Sequence, residues 1–292
     1  MCRHFAYLGL PVTLAELMLD PPHSLAVQSY APSDMRGGGT VNADGFGAGW
    51  FAAGAGPRPD SGPAENSSAR AAGESAQPSP AAPAEARRYR RAAPIWQDAG
   101  FAELARATVA SGVLGAVRNA TAGMPVAEAA CAPFTDGQWL FSLNGAIAGW
   151  PDSAVWLVDG VPRRELLSMQ VLTDASLLWA VLHQRLAASE DPASALGSLV
   201  TEVLAAAPGS RLTTLLTDGR HIYGTTVTHS LWWRHSAEAV LVASEPFDDS
   251  PGWQPLPDGQ LVTADRSGVR HRPLPLPARD EAESESHVHQ RR

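Results

Sequence analysis

Residues Met1–Leu10 read MCRHFAYLGL. From Arg3 to Leu8 the run is dominated by aromatic and aliphatic side chains, and Gly9 and Pro11 close it, which predicts a short strand. Directly before that strand, and directly behind the initiator methionine, stands Cys2. A small second residue permits removal of Met1, so the expected mature chain begins with cysteine. Such a terminus is a self-contained nucleophile. An α-amine ordinarily titrates at about 7.7–8.0 and a thiol at about 8.5, so the amine can take the thiol proton near neutral pH. A terminal amine serving as base for its own side chain is a recognised route to an activated nucleophile. The opening residues hold neither the apolar core of a signal peptide nor a small-residue cleavage site, so the expected location is the cytoplasm. Alone, a cysteine at position 2 carries little, because most cysteines are inert small hydrophobes. Its meaning depends on the rest of the chain.

The 292 residues are 45% apolar and carry 22 Lys+Arg against 30 Asp+Glu, a net charge of −8. The apolar share is enough for a sizeable core. The acidic balance argues against a nucleic-acid partner, which would call for a basic patch. No run of 18 apolar residues occurs, so no membrane span or membrane partner is expected. Two cysteines, Cys2 and Cys131, are too few for a disulfide framework or a four-cysteine zinc site. The nine histidines form no HExxH or similar metal pattern. Cys131 is read as structural and His183 as a packed or surface residue.

Residues 54–88 contain no Val, Ile, Leu, Met, Cys or aromatic side chain. Such a stretch cannot offset its ordering entropy, so it is expected to be a disordered insertion. Surface insertions cost little, since closure entropy grows only logarithmically with length. Residues 273–292 turn Pro-rich and then charged, and are expected to form a flexible tail. The rest, 2–272, fits a single domain. Further strands are expected at Gly45–Ala52, Gly112–Val117, Trp139–Ser142, Leu212–Thr217, Ile222–Thr226 and Ala239–Ala243. Helices are expected at Ala99–Ala110 behind Asp98, at Asp174–Ala188 behind Thr173, and at Pro192–Ala207. In the second of these, Leu177, Leu178, Val181, Leu182 and Leu186 share one face. Pattern alone gives an α+β protein of stacked sheets with helical cover.

Four motifs follow MCRH in order: NADGFGAGWF (Asn42–Phe51), VRNATAG (Val117–Gly123), SLNGAIAGW (Ser142–Trp150) and TDAS (Thr173–Ser176). The ordered set resembles the class II, N-terminal-nucleophile glutamine amidotransferases. Their pattern is an N-terminal Cys, DGxGxGW, RxATxG, an Asn-Gly pair and an Asp that opens a later helix. Each motif is weak by itself, and an isolated Asn-Gly more often marks a hairpin turn. The order carries the resemblance, which covers about Cys2 to Ala188, and SEPFD at Ser244–Asp248 is similar too. It implies a four-layer αββα N-terminal-nucleophile hydrolase fold, with two stacked, mostly antiparallel sheets between helices. It also implies Cys2 as nucleophile, with the Asn144 side-chain amide and the Gly145 backbone N–H as oxyanion donors. Arg118, assisted by Thr121, would grip the α-carboxylate of a γ-glutamyl substrate, and Asp174 its α-ammonium. The implied partner is that small molecule, and no metal or organic cofactor is implied. Whether the chain forms a homo-oligomer stays open. Two positions depart from the pattern: many members carry His where this chain has Ala122 and Leu143, and neither is the nucleophile or an oxyanion donor, so the departures bear on pocket shape.

Nothing in the chain looks like the synthase or isomerase domains that consume ammonia in large amidotransferases. Hydrolysis of a γ-glutamyl amide for its own sake is therefore expected. Longer stretches, among them MCRHFAYLG, VNADGFGAGWF and CAPFTDGQWLFSLNGAIAGW, are similar to the γ-glutamyl amidohydrolases of ergothioneine biosynthesis. That similarity implies release of glutamate from γ-glutamyl hercynylcysteine sulfoxide. Two alternatives stay open: a general γ-glutamyl amidase acting on glutathione-like or glutamine substrates, and an ammonia-donating glutaminase subunit. The trimethylammonium group of a hercynyl substrate favours aromatic faces. Trp50, Trp96 and Trp139 stand near the motifs in sequence, with no choice among them.

Overall fold

Strand Arg3–Thr13 (β1) shows the rule that builds the molecule. Its side chains alternate as the pleat requires. Phe5 and Tyr7 pack under helices, while Ala6 and Leu8 face a second sheet. The structure, a computed structural model, describes residues 2–34, 41–51 and 85–275.

The first sheet also holds Gly45–Phe51 (β2), Ala86–Arg91 (β3) and Val109–Arg118 (β4). The second sheet contains Phe134–Thr135 (β5), Leu140–Ala146 (β6), Arg211–Thr217 (β7) and Ile222–Thr226 (β8). Trp232–His235 (β9), Ala239–Ala243 (β10) and Gln254–Pro255 (β11) return to the first sheet, and Gln260–Asp265 (β12) and Gly268–Pro273 (β13) complete the second. The orders are β11-β9-β10-β1-β4-β2-β3 and β13-β12-β8-β7-β6-β5. Every pairing among the described residues is antiparallel.

Three apolar layers separate four structural ones. Helices Leu14–Met18 (α1), Leu25–Gln28 (α2) and Ala99–Ala107 (α3) cover the first sheet, where Leu14, Met18, Leu25 and Phe101 pack on Phe5, Phe46, Val113 and Val117. Arg163–Ser168 (α4), Asp174–Ala187 (α5) and Pro192–Ala206 (α6) follow the 3₁₀ segment Asp152–Gly160. Leu177, Val181, Leu199 and Val203 of α5 and α6 pack on Phe141, Leu143, Leu212 and Leu216 of the second sheet. Between the sheets lie Ala6, Leu8, Leu114, Leu140, Leu215, Val240, Val242 and Val262. This is the αββα arrangement. The glycine stripe of β2 lets the sheets meet: a Cβ on Gly47 would sit 2.2 Å from the Ala132 carbonyl oxygen, and one on Gly49 2.6 Å from Leu140. On the other face of the same strand, Phe46 and Ala48 lie under the helices.

The strands expected at Ile222–Thr226 and Ala239–Ala243 occur with those bounds. β2 ends at Phe51, and Ala52 lies outside the described residues. The helix expected through Ala110 stops at Ala107, because Val109 and Ala110 pair with Thr13 and Val12 and so open β4. α5 and α6 each end one residue earlier than expected. The strand expected at Trp139–Ser142 runs instead from Leu140 to Ala146, so the Asn-Gly pair belongs to it. Of the expected insertion, 54–84 lies outside the described residues, but Ala86–Arg91 is a strand paired with β2. Its run of arginines reads as loop, yet charged side chains suit a sheet edge. Residues 276–292 likewise lie outside the described residues. Pro273 still belongs to β13, and Leu274 is buried with its N–H on the Gly259 carbonyl. No helix among the described residues is long and apolar enough to cross a membrane.

Candidate active site

At one end of the sandwich β1 begins, while β4 and β6 end. Cys2 stands there in front of β1, and its thiol points at the Asn119 carbonyl 4.0 Å away. A buried ion cluster fixes this terminus. Arg3, only 1% exposed, donates from Nε to Glu245 Oε1 at 2.6 Å and from Nη1 to the Cys2 carbonyl at 3.1 Å. It also donates to the Asp34 carbonyl. The second oxygen of Glu245 accepts the Ser33 N–H at 2.6 Å and meets His23 Nε2 at 2.8 Å. Burial alone would raise the Glu245 pKa, but these contacts together hold it below the usual carboxylate range. The sequence showed SEPFD as a motif without a role for its Glu245. A glutamate bordered by Val242, Ala243 and Phe247 was the available sign of a buried partner for an arginine.

Arg118 closes β4, and its Nη1 donates to the Pro125 carbonyl at 3.0 Å. The loop after it, which carries Thr121, is held by Asp44. The Asp44 N–H donates to the Arg118 carbonyl at 3.0 Å, and its Oδ2 accepts the Ala120 N–H at 2.8 Å. The acid of the DGxGxGW motif thus braces the RxATxG loop, a structural role that the sequence did not disclose. Asp174 is the first residue of α5, behind the cap Thr173. Its Oδ1 accepts the Ala175 N–H at 2.8 Å and its Oδ2 the Ile147 N–H at 3.1 Å, which ties the helix to the chain just beyond Gly145. Burial raises the Asp174 pKa, against the pull of those N–H groups and of the Arg118 charge.

Gly145 has φ of +149°, and a Cβ there would fall 1.8 Å from the Arg211 carbonyl oxygen. Only glycine fits. Its neighbour Asn144 is fully buried, and neither its Nδ2 nor its Oδ1 has a hydrogen-bond partner among the described residues. Cys2, Arg118, Thr121, Gly145 and Asp174 line one cleft, whose walls include Phe46, Phe134, Ser142 and Leu143. Asn144 itself is not among the lining residues, but its chain neighbours Leu143 and Gly145 both are.

Other candidates fall elsewhere. Cys131 is buried, its S–H pointing at the Arg91 and Ala127 carbonyls, and burial pushes its pKa up to about 11. Gly45 leaves room for that sulfur, which would lie 2.3 Å from a Cβ. His183 stacks on Trp179 and meets Asp136 at 3.2 Å on α5. Trp50 and Trp139 pack against apolar cores, whereas Trp96 is 44% exposed and touches Tyr30 edge-on with 5.7 Å between centroids. Among the described residues no group of three or more His, Cys, Asp or Glu could hold a metal ion.

No protein-family model matches the chain. A γ-glutamyl-hercynylcysteine sulfoxide hydrolase of Mycolicibacterium smegmatis is 38% identical over 274 residues, which is 94% of this chain and 100% of that protein. The protein of the same name from Mycobacterium tuberculosis is 36% identical over 269 residues, 92% of this chain and 95% of its own. A solved glutamine aminotransferase class-II domain protein from Silicibacter pomeroyi superposes with a TM-score of 0.60 at 21% identity, covering 94% of this chain and 99% of that one. Glutamine phosphoribosylpyrophosphate amidotransferase from B. subtilis superposes at 0.57 with 12% identity, covering 94% of this chain and 49% of that one. At such identities these structures speak to the fold, and they share its layered sheets.

Proposed function

The chain belongs to the family of γ-glutamyl-hercynylcysteine sulfoxide hydrolases, and we propose accordingly that it releases glutamate from γ-glutamyl hercynylcysteine sulfoxide, leaving hercynylcysteine sulfoxide. The observation that carries the mechanism is the single cleft lined by Cys2, Arg118, Thr121, Gly145 and Asp174. Removal of Met1 frees the Cys2 α-amine. The thiolate attacks the γ-carbonyl while the amine takes the thiol proton, and a C–S bond forms. The unpartnered Asn144 amide and the Gly145 N–H receive the oxyanion; a buried amide without partners costs about 1–3 kcal/mol per lost bond until a ligand supplies them. As the C–N bond breaks, the amine returns its proton to the departing nitrogen, which leaves as hercynylcysteine sulfoxide. Water, deprotonated by the same amine, attacks the γ-glutamyl thioester. The C–S bond breaks, glutamate departs and the thiol is restored.

Arg118 and Thr121 take the α-carboxylate. The α-ammonium pairs with Asp174, its positive charge offsetting the desolvation that raises the Asp174 pKa. These contacts lie away from the reacting bond but hold the carbonyl over the sulfur. We assign the enzyme to the cytoplasm, where its two free cysteines stay reduced. The test is glutamate release by purified protein from γ-glutamyl hercynylcysteine sulfoxide, glutamine and glutathione side by side, with Cys2→Ala as control. Preference for the first substrate, abolished in the control, is expected. Turnover of glutamine or glutathione alone would move the activity to a general γ-glutamyl amidase or an ammonia donor.

A further inference from the structure

Directly beneath the nucleophile lies a polar contact that the mechanism does not use. Because β1 leaves the cleft and β6 approaches it, the facing side chains of the two sheets stack in layers. His4 Nδ1 meets Ser142 Oγ at 3.0 Å across the sheets. One step deeper, Ala6 and Leu140 belong to the apolar core between the sheets. One step toward the cleft, the alternation of each strand places Cys2 and Asn144. The hydrogen bond thus separates the reacting layer from the core, and both of its residues are fully buried.

We propose that the His4–Ser142 hydrogen bond is a positioning device that sets the gap between the Cys2 sulfur and the Asn144 amide. The inference rests on the roles given above to Cys2 and Asn144. His4 is well placed to transmit position. Its backbone N–H donates to Ser244 Oγ at 3.0 Å, and its carbonyl accepts the Ser244 N–H at 2.9 Å, so the strand is clamped on that side. Its imidazole stays neutral: burial first, then the neighbouring His229 and Arg3, bring its pKa down to about 3. The contact therefore keeps one form through the neutral range. On the other strand Ser142 is two residues from Asn144, and β6 is held by its register with β7.

The test uses the full chain with Ser142→Ala, Ser142→Cys, His4→Leu and His4→Asn, the last keeping a polar atom near the position of Nδ1. Losing the bond should lower kcat for γ-glutamyl hercynylcysteine sulfoxide by about 10–100-fold, as a misplacement of about 1 Å does. KM should hold within about twofold, because the groups that grip the glutamyl end are untouched. Alkylation of Cys2 by iodoacetamide should keep its rate and pH profile. His4→Asn should retain most of the turnover, Ser142→Cys should lie between wild type and Ser142→Ala, and Ser142→Ala combined with His4→Leu should be no worse than the poorer single variant. Unchanged kcat in folded Ser142→Ala or Ser142→Cys would overturn the proposal, as would additive losses in the double variant. Absence of Cys2-dependent turnover in the wild type would instead remove the functional reading beneath it.

Discussion

Asp174 and His4 show how single residues carry opposite electrostatic costs. Asp174 is buried, its pKa raised, and its two oxygens are already engaged by backbone N–H groups. A carboxylate whose folded pKa lies above its unfolded value is destabilising when charged, which Asp174→Asn removes; because Asn can accept only one of the two backbone N–H groups, the variant should still fold but lose about 1–3 kcal/mol at neutral pH. It should also raise KM by about 10–100-fold if one charge-assisted contact to the substrate ammonium is lost, a difference of roughly 1.5–3 kcal/mol. Steady-state kinetics beside a denaturant titration separates the two effects. His4 has the reverse sign. Its folded pKa, about 3, lies below the ordinary 6.5 of an unfolded histidine. Its contribution is complete above pH 6.5 and is lost as pH falls toward 3, at up to about 1.4 kcal/mol per pH unit. Urea titrations between pH 7 and 4 should show a shallower loss for His4→Asn than for wild type. Parallel curves would mean that His4 is not kept neutral by the fold.

Among the secondary elements, a strand's alternation assigns each side chain to one of three cores, and the helices are held mainly by what they bury. α3 is short, capped by Asp98 accepting the Phe101 N–H at 2.9 Å, and anchored by Phe101. That ring is fully buried, 4.8 Å from Phe46 and 5.4 Å from Tyr89 between centroids. Phe101→Ala should cost about 3–5 kcal/mol, readable as a drop in the denaturation midpoint, because the void would lie between a helix and a fixed sheet. A cost under about 1 kcal/mol would mean that α3 is not anchored by this residue. Element boundaries were less legible than element types. Val109 and Ala110 continue a helical pattern by composition, and only pairing with Thr13 and Val12 turns them into strand. The arginines of β3 look like part of the insertion, and only their place at a sheet edge explains them. Long-range pairing decided both cases, and no local window contains it.

Across the whole molecule, the motifs legible in the sequence are those whose residue types are dictated by local geometry. Gly145 is recognisable because no other residue fits against Arg211, and the β2 glycines because the second sheet lies against them. The capped start of α5 announces itself through Thr173. Groups that act across the fold were not legible: Glu245 on Arg3, Asp44 on the Ala120 N–H, and Ser142 on His4. Each joins residues far apart in the chain, and each braces a candidate catalytic or binding residue without lining up with it in sequence. In the proposed mechanism these braces surround a free N-terminal Cys2 that the substrate acylates. Mass spectrometry of the protein, acid-quenched during turnover of γ-glutamyl hercynylcysteine sulfoxide, reads that acylation out. A chain starting at Cys2, with a γ-glutamyl group on its N-terminal peptide, is the predicted result; full turnover by a chain that keeps Met1 and carries no such adduct would contradict it.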